Sequence, residues 1–537
     1  MKFALADLFE CVVDHVGERE AVVCGNRRFT YDELDERANR LGHALLDRDL
    51  APGDHVALQM LNRPEHAEAY LACFKARLVP LNVNWRYGPE ELGHVFGDGE
   101  VVAVVHDGRF SDAVEGARRD GRPWSLDVDD GYEALLEGAD PSRDFEPRSP
   151  DDHYVLYTGG TTGLPKGVVW RQEDIFFVVM GGGNPGGPAI ERPEDIGPSV
   201  VRNRALRLGP FLGPDEPQPD QFVQLALGPM AHASGQWSTL GTLLGGGRVV
   251  LYPEPHVEMA TVLDLIEQEQ VVSLNLVGDA NARPLLATLA AEPGRWDTSS
   301  VRLMGSGGAM LSGDVKAQLM EAFPRLAAIT EAVGSSEAPV QAVSLTTRHA
   351  TPLPSLRFPP RDGTRVVTDD GRDVEPGSGQ TGRLATRGRG PLGYHADPER
   401  SARTFVELDG ERWTLPGDMA TVEADGSIRL LGRGSLCINT GGEKVYPEEV
   451  EAVLVSHPTV TDALVVGIPD DTYGERVAAV VQPSDPAAPP GLDELQDHAR
   501  DHLAGYKLPR SLTIVDQVRR SPAGKGDYAW AKETAQS

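Results

Sequence analysis

The stretch YTGGTTGLPKG, residues 157–167, joins an apolar run, DHYVLYT, to a dense cluster of glycine and threonine. The run predicts a strand, and small residues after a strand let backbone N–H groups approach phosphate oxygens closely. Threonine hydroxyls add donors, and Lys166 adds a positive charge. The loop is not a Walker A motif, because Lys166 lies between Pro165 and Gly167 and no Ser or Thr follows it. The stretch therefore predicts a phosphate-binding loop unlike that of P-loop NTPases.

Composition limits the classes of protein to consider. The 537 residues carry a formal net charge of −30, and 40% of them are hydrophobic. This length exceeds one ordinary hydrophobic core, so at least two domains are expected. The acidic balance argues against nucleic acid or an anionic membrane surface as a partner, since both attract clustered Lys and Arg. The sequence has no run of 18 apolar residues, so no membrane span is expected. Four scattered cysteines without a C-x-x-C pair suit a reducing, cytoplasmic location.

Helical and β-rich segments alternate along the chain. The segment from Tyr31, YDELDERANRLGHALL, has helical spacing, whereas HVALQML and Val101 to Val105 are β-rich. This alternation predicts an α/β architecture with substantially parallel sheets. The last hundred or so residues contain strands, ALVVGIP and RVAAVVQ, and a helix, LDELQDHARDHLA, enough for a small α+β unit. The expected domains are residues 1–433 and 434–537.

A long Gly- and Pro-rich tract, residues 181–220, has little periodicity. Loops of this length are unusual in a compact domain unless they are functional. Two interpretations stay open: a surface insertion, or a lid or wall over a substrate cavity.

Six further motifs follow the opening stretch. They are GPMAHASG (228–235), GSGGAML (305–311), VGSSEA (333–338), LPGDMA (415–420), LLGRGSLCINTGGEKVYPEEVE (430–451) and SPAGKGDYAWAK (521–532). In this order, over nearly the whole chain, they resemble the adenylate-forming superfamily, which includes acyl-CoA synthetases, luciferases and peptide-synthetase adenylation domains.

The resemblance implies a fold and two half-reactions. The fold is a large N-terminal AMP-binding domain of stacked β-sheets with flanking helices, followed by a small mobile C-terminal domain. A carboxylate and ATP would give acyl-adenylate and pyrophosphate, and the thiol of coenzyme A would then displace AMP. Attaching AMP converts the carboxylate oxygen into a good leaving group. ATP, Mg²⁺ and coenzyme A are the implied cofactors.

The resemblance also implies roles for individual residues. Lys525 would act at the carboxylate and α-phosphate, Glu337 would bind Mg²⁺, and His232 would gate the path between acyl pocket and thiol. The implied contacts to ATP and coenzyme A are Thr158, Thr161, Thr162 and Lys166 for the β- and γ-phosphates, Gly307, Gly308 and Ala309 for adenine, Ser336 beside the metal ligand, Asp418 and Arg433 for ribose, and Gly441, Gly442, Glu443 and Lys444 for pantetheine.

Two positions depart from the usual pattern of the family. Ser336 replaces a threonine but keeps the hydroxyl. The hinge position, commonly Asp or Lys, is Ser435. A serine after a glycine can still absorb a backbone rotation, so domain movement is not excluded.

Longer strings, such as PKGVVWRQEDIFF and RRSPAGKGDYAWAK, are similar to a narrower actinobacterial group of acyl-CoA ligases, some of which act on steroid side-chain and related polycyclic acids. The expected substrate is therefore a bulky alicyclic or terpenoid acid, in an apolar cavity near Trp237, Val277, Gly278 and Gly334. An amino-acid substrate is disfavoured, because the MAHASGQW segment lacks the aspartate that anchors an amine in peptide-synthetase domains.

Two alternatives remain open. One is an enzyme that stops at the acyl-adenylate and passes it to another protein. The other is a binding protein that kept the fold and lost activity, although the retained Lys166, Glu337, Asp418 and Lys525 argue against it. The expected partners are small molecules, namely the acid, ATP and coenzyme A, and a homodimer is possible.

Overall fold

The computed structural model describes residues 1–160, 163–182, 190–202, 219–309, 311–348, 356–440, 443–470, 473–522 and 524–537. The helices are α1 (Leu5–Val16), α2 (Tyr31–Leu46), α3 (Pro64–Lys75), α4 (Pro89–Asp98), α5 (Ser111–Ala117), α6 (Tyr132–Glu137), α7 (Gln172–Val179), α8 (Ile196–Arg202), α9 (Ala233–Leu244), α10 (Met259–Gln268), α11 (Gly278–Ala291), α12 (Gly313–Ala322), α13 (Pro398–Thr404), α14 (Pro447–Val455), α15 (Leu492–Arg500) and α16 (Tyr528–Gln536).

The strands are β1 (Glu20–Cys24), β2 (Arg27–Thr30), β3 (His55–Gln59), β4 (Val79–Asn82), β5 (Val101–His106), β6 (Trp124–Asp127), β7 (His153–Gly160), β8 (Gly163–Arg171), β9 (Val223–Ala226), β10 (Arg248–Val250), β11 (Ser273–Leu276), β12 (Leu303–Gly307), β13 (Ala328–Val333), β14 (Ala342–Thr347), β15 (Arg357–Phe358), β16 (Thr364–Val367), β17 (Thr381–Arg387), β18 (Gly393–Tyr394), β19 (Phe405–Leu408), β20 (Glu411–Thr414), β21 (Asp418–Val422), β22 (Ile428–Arg433), β23 (Ile438–Thr440), β24 (Glu443–Val445), β25 (Val460–Asp470), β26 (Gly474–Pro483) and β27 (Ser511–Ile514).

Two mainly parallel sheets form most of the N-terminal region. An eight-stranded sheet has the order β14-β13-β12-β11-β9-β10-β1-β2, and a seven-stranded sheet has the order β18-β8-β7-β4-β3-β5-β6. Within them β9 to β13 and β3 to β6 pair in parallel through helical crossovers. The parallel α/β prediction is confirmed.

The largest hydrophobic core contains residues of both sheets and of the helices α1, α2, α3, α7 and α9. Its most voluminous buried side chains include Trp170, Tyr70 and Phe176. The sequence specifies the helix boundaries locally: Thr30 and Glu33 form a reciprocal capping box at the start of α2, where the predicted helix begins at Tyr31. The helices that lie between the two sheets are stabilised because their apolar side chains are buried against both sheets.

Two smaller sheets follow. One has the order β15-β22-β21-β17-β20-β19, with β16 on β17, and the last has the order β24-β23-β26-β25, with β27 on β26. Along β25 alternate residues enter opposite cores: Ala463 and Val465 pack with α14 and α15, whereas Leu464 and Val466 pack with α16. Both faces of this small C-terminal sheet are therefore covered, and the predicted large N-terminal domain with a smaller C-terminal unit is confirmed.

The predicted domain boundary, after residue 433, lies between β22 and the first strand of the C-terminal sheet. It stays a prediction. Two contacts cross it: Arg429 on β22 lies 3.1 Å from Glu449 on α14, and the backbone N–H of Arg433 donates to Glu448 at 3.1 Å.

The tract 181–220 is more ordered in its described part than its composition predicts. Ile196–Arg202 form α8, and Ile196 and Val200, one helical turn apart, are buried in the largest core. The described part of the tract is therefore packed against the domain, which weighs against a simple surface insertion. Residues 183–189 and 203–218 lie outside the described residues.

In the described ranges we find no helix with both the length and the apolar character needed to cross a bilayer.

Candidate active site

The candidate site lies at the carboxyl ends of β12 and β13, which pair in parallel with Gly307 opposite Ala332. Gly307 ends β12, and Gly308 follows with φ +83°, a backbone conformation that favours glycine. Ligands of open parallel sheets bind at this edge of the strands. The residues predicted to line adenine, Gly307 to Ala309, therefore occupy an edge where a flat ring can approach the backbone.

The stretch that predicted a phosphate loop forms an antiparallel hairpin of β7 and β8. Thr158 lies directly opposite Lys166, and Tyr157 lies opposite Gly167. The predicted phosphate ligands Thr161 and Thr162 lie outside the described residues.

One buried amide fixes the hairpin relative to the segment before α9. Asn82, at the end of β4, donates to the carbonyls of Tyr157 (2.9 Å) and Ala231 (2.7 Å) and accepts from the Tyr157 N–H (2.8 Å). Because His232 follows Ala231, this amide connects the β7–β8 hairpin with the predicted gate.

Lys166, Glu337 and Tyr394 form a three-membered cluster. The Lys166 Nζ lies 3.0 Å from Glu337 Oε1 and donates to the Tyr394 hydroxyl at 2.9 Å, and that hydroxyl donates to the same Oε1 at 2.6 Å. The Tyr394 ring also lies beneath Nζ, 4.0 Å from its centroid. Burial would raise the pKa of Glu337, but Lys166 and the Tyr394 hydroxyl outweigh burial and lower it to about 2. Glu337 is therefore ionised at neutral pH.

A second cluster joins Asp418 and Arg433, which face each other on the paired strands β21 and β22. Arg433 Nε lies 2.8 Å from Asp418 Oδ1, and the buried Gln341 donates to Asp418 Oδ2 at 2.6 Å. Both oxygens of Asp418 are thus held in place, which fixes the orientation of the carboxylate. Its role as a ribose contact stays a prediction.

The backbone of Gly524 lies against Val277 and Ala309, and this contact brings the next residue of the C-terminal sheet domain, Lys525, to the site. Burial lowers its pKa, and the positive charges of Arg433 and Lys166 lower it further, whereas Glu337 and Asp418 act in the opposite direction. The structure therefore brings together four residues that lie far apart in the sequence, Lys166, Glu337, Asp418 and Lys525.

His232 is the N-cap residue of α9. Its Nε2 is buried, and none of the described residues forms a hydrogen bond with it. Burial lowers the pKa of His232 to about 4, with further contributions from Lys525 and Arg86. The imidazole is therefore neutral at pH 7 and lies within the electrostatic reach of Lys525.

The residues predicted to form the acid pocket belong to three segments: the end of β11, the end of β13 and helix α9. Val277 precedes α11 and is buried, and the Gly278 N–H that follows donates to Ser306 at 3.1 Å. A Cβ at Gly334 would lie 2.0 Å from the Pro339 carbonyl oxygen, so this position requires glycine. Trp237, on α9, is half-buried against the largest core. Their role as a pocket stays a prediction.

The predicted pantetheine segment faces solvent where the structure describes it. Glu443 and Lys444 are exposed on β24, and Gly441 and Gly442 lie outside the described residues. Ser435, the predicted hinge, is exposed in a short 3₁₀ turn, Gly434–Leu436, and the Gly434 N–H donates to the Gly417 carbonyl at 3.0 Å.

Two contributors to the site were missed from the sequence, Tyr394 and Gln341. Tyr394 is placed beside Lys166 because β18 pairs with β8, with Tyr394 opposite Val168. Its only sequence signal is its place in GYHADPE, before a helix start at Pro398. Gln341 has no signal in the sequence.

The described residues include no group of three or more His, Cys, Asp or Glu side chains that could hold a metal ion. A divalent cation at Glu337 would therefore take most of its ligands from phosphate and water, as Mg²⁺ commonly does. Tyr394 and Lys166 both bind Oε1, and no described residue donates to Oε2. An ionised carboxylate whose Oε2 accepts no hydrogen bond from the described part of the chain fits such a cation.

Comparison with known proteins supplies the family. A profile described as "AMP-binding enzyme" matches residues 9–394, and one described as "AMP-binding enzyme C-terminal domain" matches residues 449–525. The chain is 42% identical to a medium/long-chain-fatty-acid–CoA/3-oxocholest-4-en-26-oate–CoA ligase of Mycolicibacterium smegmatis, covering 100% of this chain and 97% of the relative. It is 40% identical to a 3-oxocholest-4-en-26-oate–CoA ligase of Rhodococcus rhodochrous, covering 99% and 96%.

Among solved structures, the anthranilate CoA ligase AuaEII in complex with anthranoyl-AMP has a TM-score of 0.83 at 21% identity, covering 99% of this chain and 97% of that chain. This likeness supports the fold. The two profiles and the full-length relatives show the family: the chain belongs to the AMP-binding enzymes.

Proposed function

We propose that the protein is an AMP-forming acyl-CoA ligase. ATP and a carboxylic acid give acyl-adenylate and pyrophosphate, and the thiol of coenzyme A then displaces AMP to give the acyl-CoA. The observation that carries the proposal is that two charge pairs, Lys166 with Glu337 and Arg433 with Asp418, lie in one site, and that Gly524, the neighbour of Lys525, packs against Val277 and Ala309. Full-length relatives that carry CoA ligase names support both half-reactions.

Each of these side chains has a separate role in adenylation. Lys166 leaves its pair with Glu337 to neutralise the β- and γ-phosphates, and Asp418 and Arg433 hold the ribose. Lys525 places its charge between the carboxylate of the acid and the α-phosphate, where negative charge develops. At about 4 Å and an effective dielectric constant of 20, one such charge contributes roughly 4 kcal/mol. Positioning and charge neutralisation supply most of the catalysis.

Glu337 would hold Mg²⁺ through Oε2, and the bound ion would neutralise charge on the phosphate oxygens. His232 stays neutral during turnover and separates the acid from the approaching thiol.

The proposed substrate is a bulky hydrophobic acid of the steroid, terpenoid or polycyclic kind, next to Val277 and Ala309. Support comes from the two relatives named as 3-oxocholest-4-en-26-oate–CoA ligases. A second candidate, a medium- or long-chain fatty acid, is favoured by the first of those names, which includes both classes.

The test uses the purified protein with ATP, Mg²⁺, coenzyme A and a panel of acids: a steroid side-chain acid, octanoate, palmitate, benzoate and acetate. Pyrophosphate, AMP and acyl-CoA are measured separately. We expect stoichiometric acyl-CoA with the steroid acid. Pyrophosphate without thioester would indicate an adenylation-only enzyme, and preference for plain fatty acids with no turnover of polycyclic acids would overturn the substrate proposal.

Two lysine variants test the assignment of charge. Lys525→Ala should abolish pyrophosphate release. Lys532 is an exposed lysine of α16 that lies 3.7 Å from Glu475, and Lys532→Ala should leave pyrophosphate release unchanged. Unchanged pyrophosphate release in Lys525→Ala would contradict the mechanism.

A further inference from the structure

The turn that carries Lys525 is braced by hydrogen bonds. The Gly524 N–H donates to the Ser521 carbonyl, and the Ser521 N–H donates to the Lys525 carbonyl, both at 2.8 Å. Arg520 donates to the Gly524 carbonyl at 3.0 Å and forms two 2.7 Å contacts with Asp462 on β25. The turn is therefore positioned as one piece with the C-terminal sheet.

Gly524 is the point where this turn meets the N-terminal domain. A Cβ built on Gly524 would lie 2.4 Å from Val277 Cγ1 and 2.9 Å from the Ala309 Cβ. Both separations are far below the optimal distance between non-bonded carbon atoms, which is about 3.5–4.0 Å, so van der Waals repulsion would forbid them. The backbone of residue 524 thus lies directly against the wall of the site.

The wall has little freedom to retreat. Val277 is buried, and its N–H donates to Asn281 at 2.8 Å. The next residue, Gly278, donates to Ser306 on β12, and Ala309 follows the end of β12. Both contact points of Gly524 are therefore anchored to the parallel sheet.

We propose that Gly524 is a positioning residue for adenylation: its missing side chain sets how far Lys525 enters the site, and its contact with Val277 and Ala309 closes the acid pocket. The proposal rests on the proposed function, in which Lys525 acts in the first half-reaction. A side chain at 524 would hold the turn away from the wall and withdraw the adjacent lysine from the carboxylate.

The backbone conformation of Gly524 could also make a substitution costly, and its effect must be measured separately from that of the contact. Its φ is +75°, a conformation that costs any other residue energy whatever the space around it. Gly426 provides a matched control, because its φ is +82° and a Cβ there would have no neighbour within 4 Å. Gly426→Ala reports the backbone cost without the contact.

The experiment measures the two half-reactions separately. Gly524→Ala should lower acid-dependent pyrophosphate release by about 10- to 100-fold, mainly in kcat, as expected for overpacking of a fixed contact. Conversion of preformed acyl-adenylate and coenzyme A to thioester should stay within about twofold of wild type, because Lys525 acts in the first half-reaction of the proposed function. Gly426→Ala should leave both rates within about twofold.

Removing the opposing atoms tests the contact directly. Val277→Ala deletes the Cγ1 that lies 2.4 Å from the added Cβ, so Gly524→Ala/Val277→Ala should recover about tenfold in pyrophosphate release over Gly524→Ala. Recovery remains partial, since the 2.9 Å contact with Ala309 persists.

Three results would overturn the proposal: full adenylation activity in Gly524→Ala, equal loss in both half-reactions, or no recovery in the double variant. A wild-type protein that releases no pyrophosphate with any acid would instead contradict the proposed function itself. The two failures are therefore distinguishable.

Discussion

Tyr394→Phe removes a single oxygen from the centre of the candidate site. That hydroxyl donates to Glu337 at 2.6 Å and accepts from Lys166 at 2.9 Å. Burial raises the pKa of Tyr394, and the charge of Glu337 raises it further, so the phenol stays protonated and keeps donating. A hydrogen bond to a charged group contributes about 1.5–3 kcal/mol. We therefore expect kcat/KM for adenylation to fall about 10- to 100-fold.

The loss should depend on the concentration of Mg²⁺. The Tyr394 hydroxyl and Lys166 both hold Glu337 Oε1. Without the hydroxyl this oxygen loses one of its two partners, so the carboxylate would be less firmly positioned to hold Mg²⁺. The assay is acid-dependent pyrophosphate release over a Mg²⁺ titration, together with thioester formation from preformed acyl-adenylate, which should not change. Tyr252→Phe, which removes a phenol that donates to the His256 carbonyl at 3.1 Å, is the control.

An activity loss in Tyr394→Phe that is the same at every Mg²⁺ concentration would contradict this role of the hydroxyl. An equal loss in Tyr252→Phe would also contradict it, since the effect would then come from stability alone.

Three further predictions concern charge. Because burial lowers the pKa of Lys525, wild-type adenylation should decline on the alkaline side below the ordinary lysine range, and Lys525→Arg should lose this decline in a pH profile of pyrophosphate release. Lys75 is fully buried, 2.6 Å from both Glu10 and Asp35, so Lys75→Met should lower the free energy of unfolding in urea by about 3–5 kcal/mol. Burial lowers the pKa of His66 to about 4, whereas the same histidine in the unfolded chain binds a proton at about pH 6.5. The free energy of unfolding should therefore decrease by at most about 3 kcal/mol as the pH falls from about 6.5 to about 4. In urea denaturation, His66→Asn should show a smaller dependence of this free energy on pH.

The sequence predicted the elements that its local pattern determines. The helix from Tyr31, the strand at Val101 and the helix within LDELQDHARDHLA are all observed. Helical spacing did not show which helices lie between sheets. All twelve residues of α3 are buried, including Glu68, which lies 2.8 Å from Arg37 on α2. A charged side chain such as Glu68 can be buried in a core because an ion-pair partner from a distant element compensates its charge. Hydrophobic periodicity within one helix does not identify such partners.

The resemblance carried by the ordered motifs implied that Lys166, Glu337, Asp418 and Arg433 belong to one site, and the structure pairs Lys166 with Glu337 and Arg433 with Asp418. Tyr394 and Gln341 were not predicted, since their contacts depend on strand pairing and on side-chain reach across the site. The exposure of Lys444 on β24 was also not predicted from the sequence.

The candidate site places Lys166, Arg433 and Lys525 close together within a chain whose formal net charge is −30. ATP, coenzyme A and the acid are all anions, so the surface repels them at long range while the site attracts them at contact. Salt screens interactions beyond a Debye length of about 8 Å at physiological ionic strength, and it therefore weakens the repulsion more than the contact. Moderate salt should speed the encounter with ATP, opposite to the behaviour of enzymes whose surfaces steer their substrates inward.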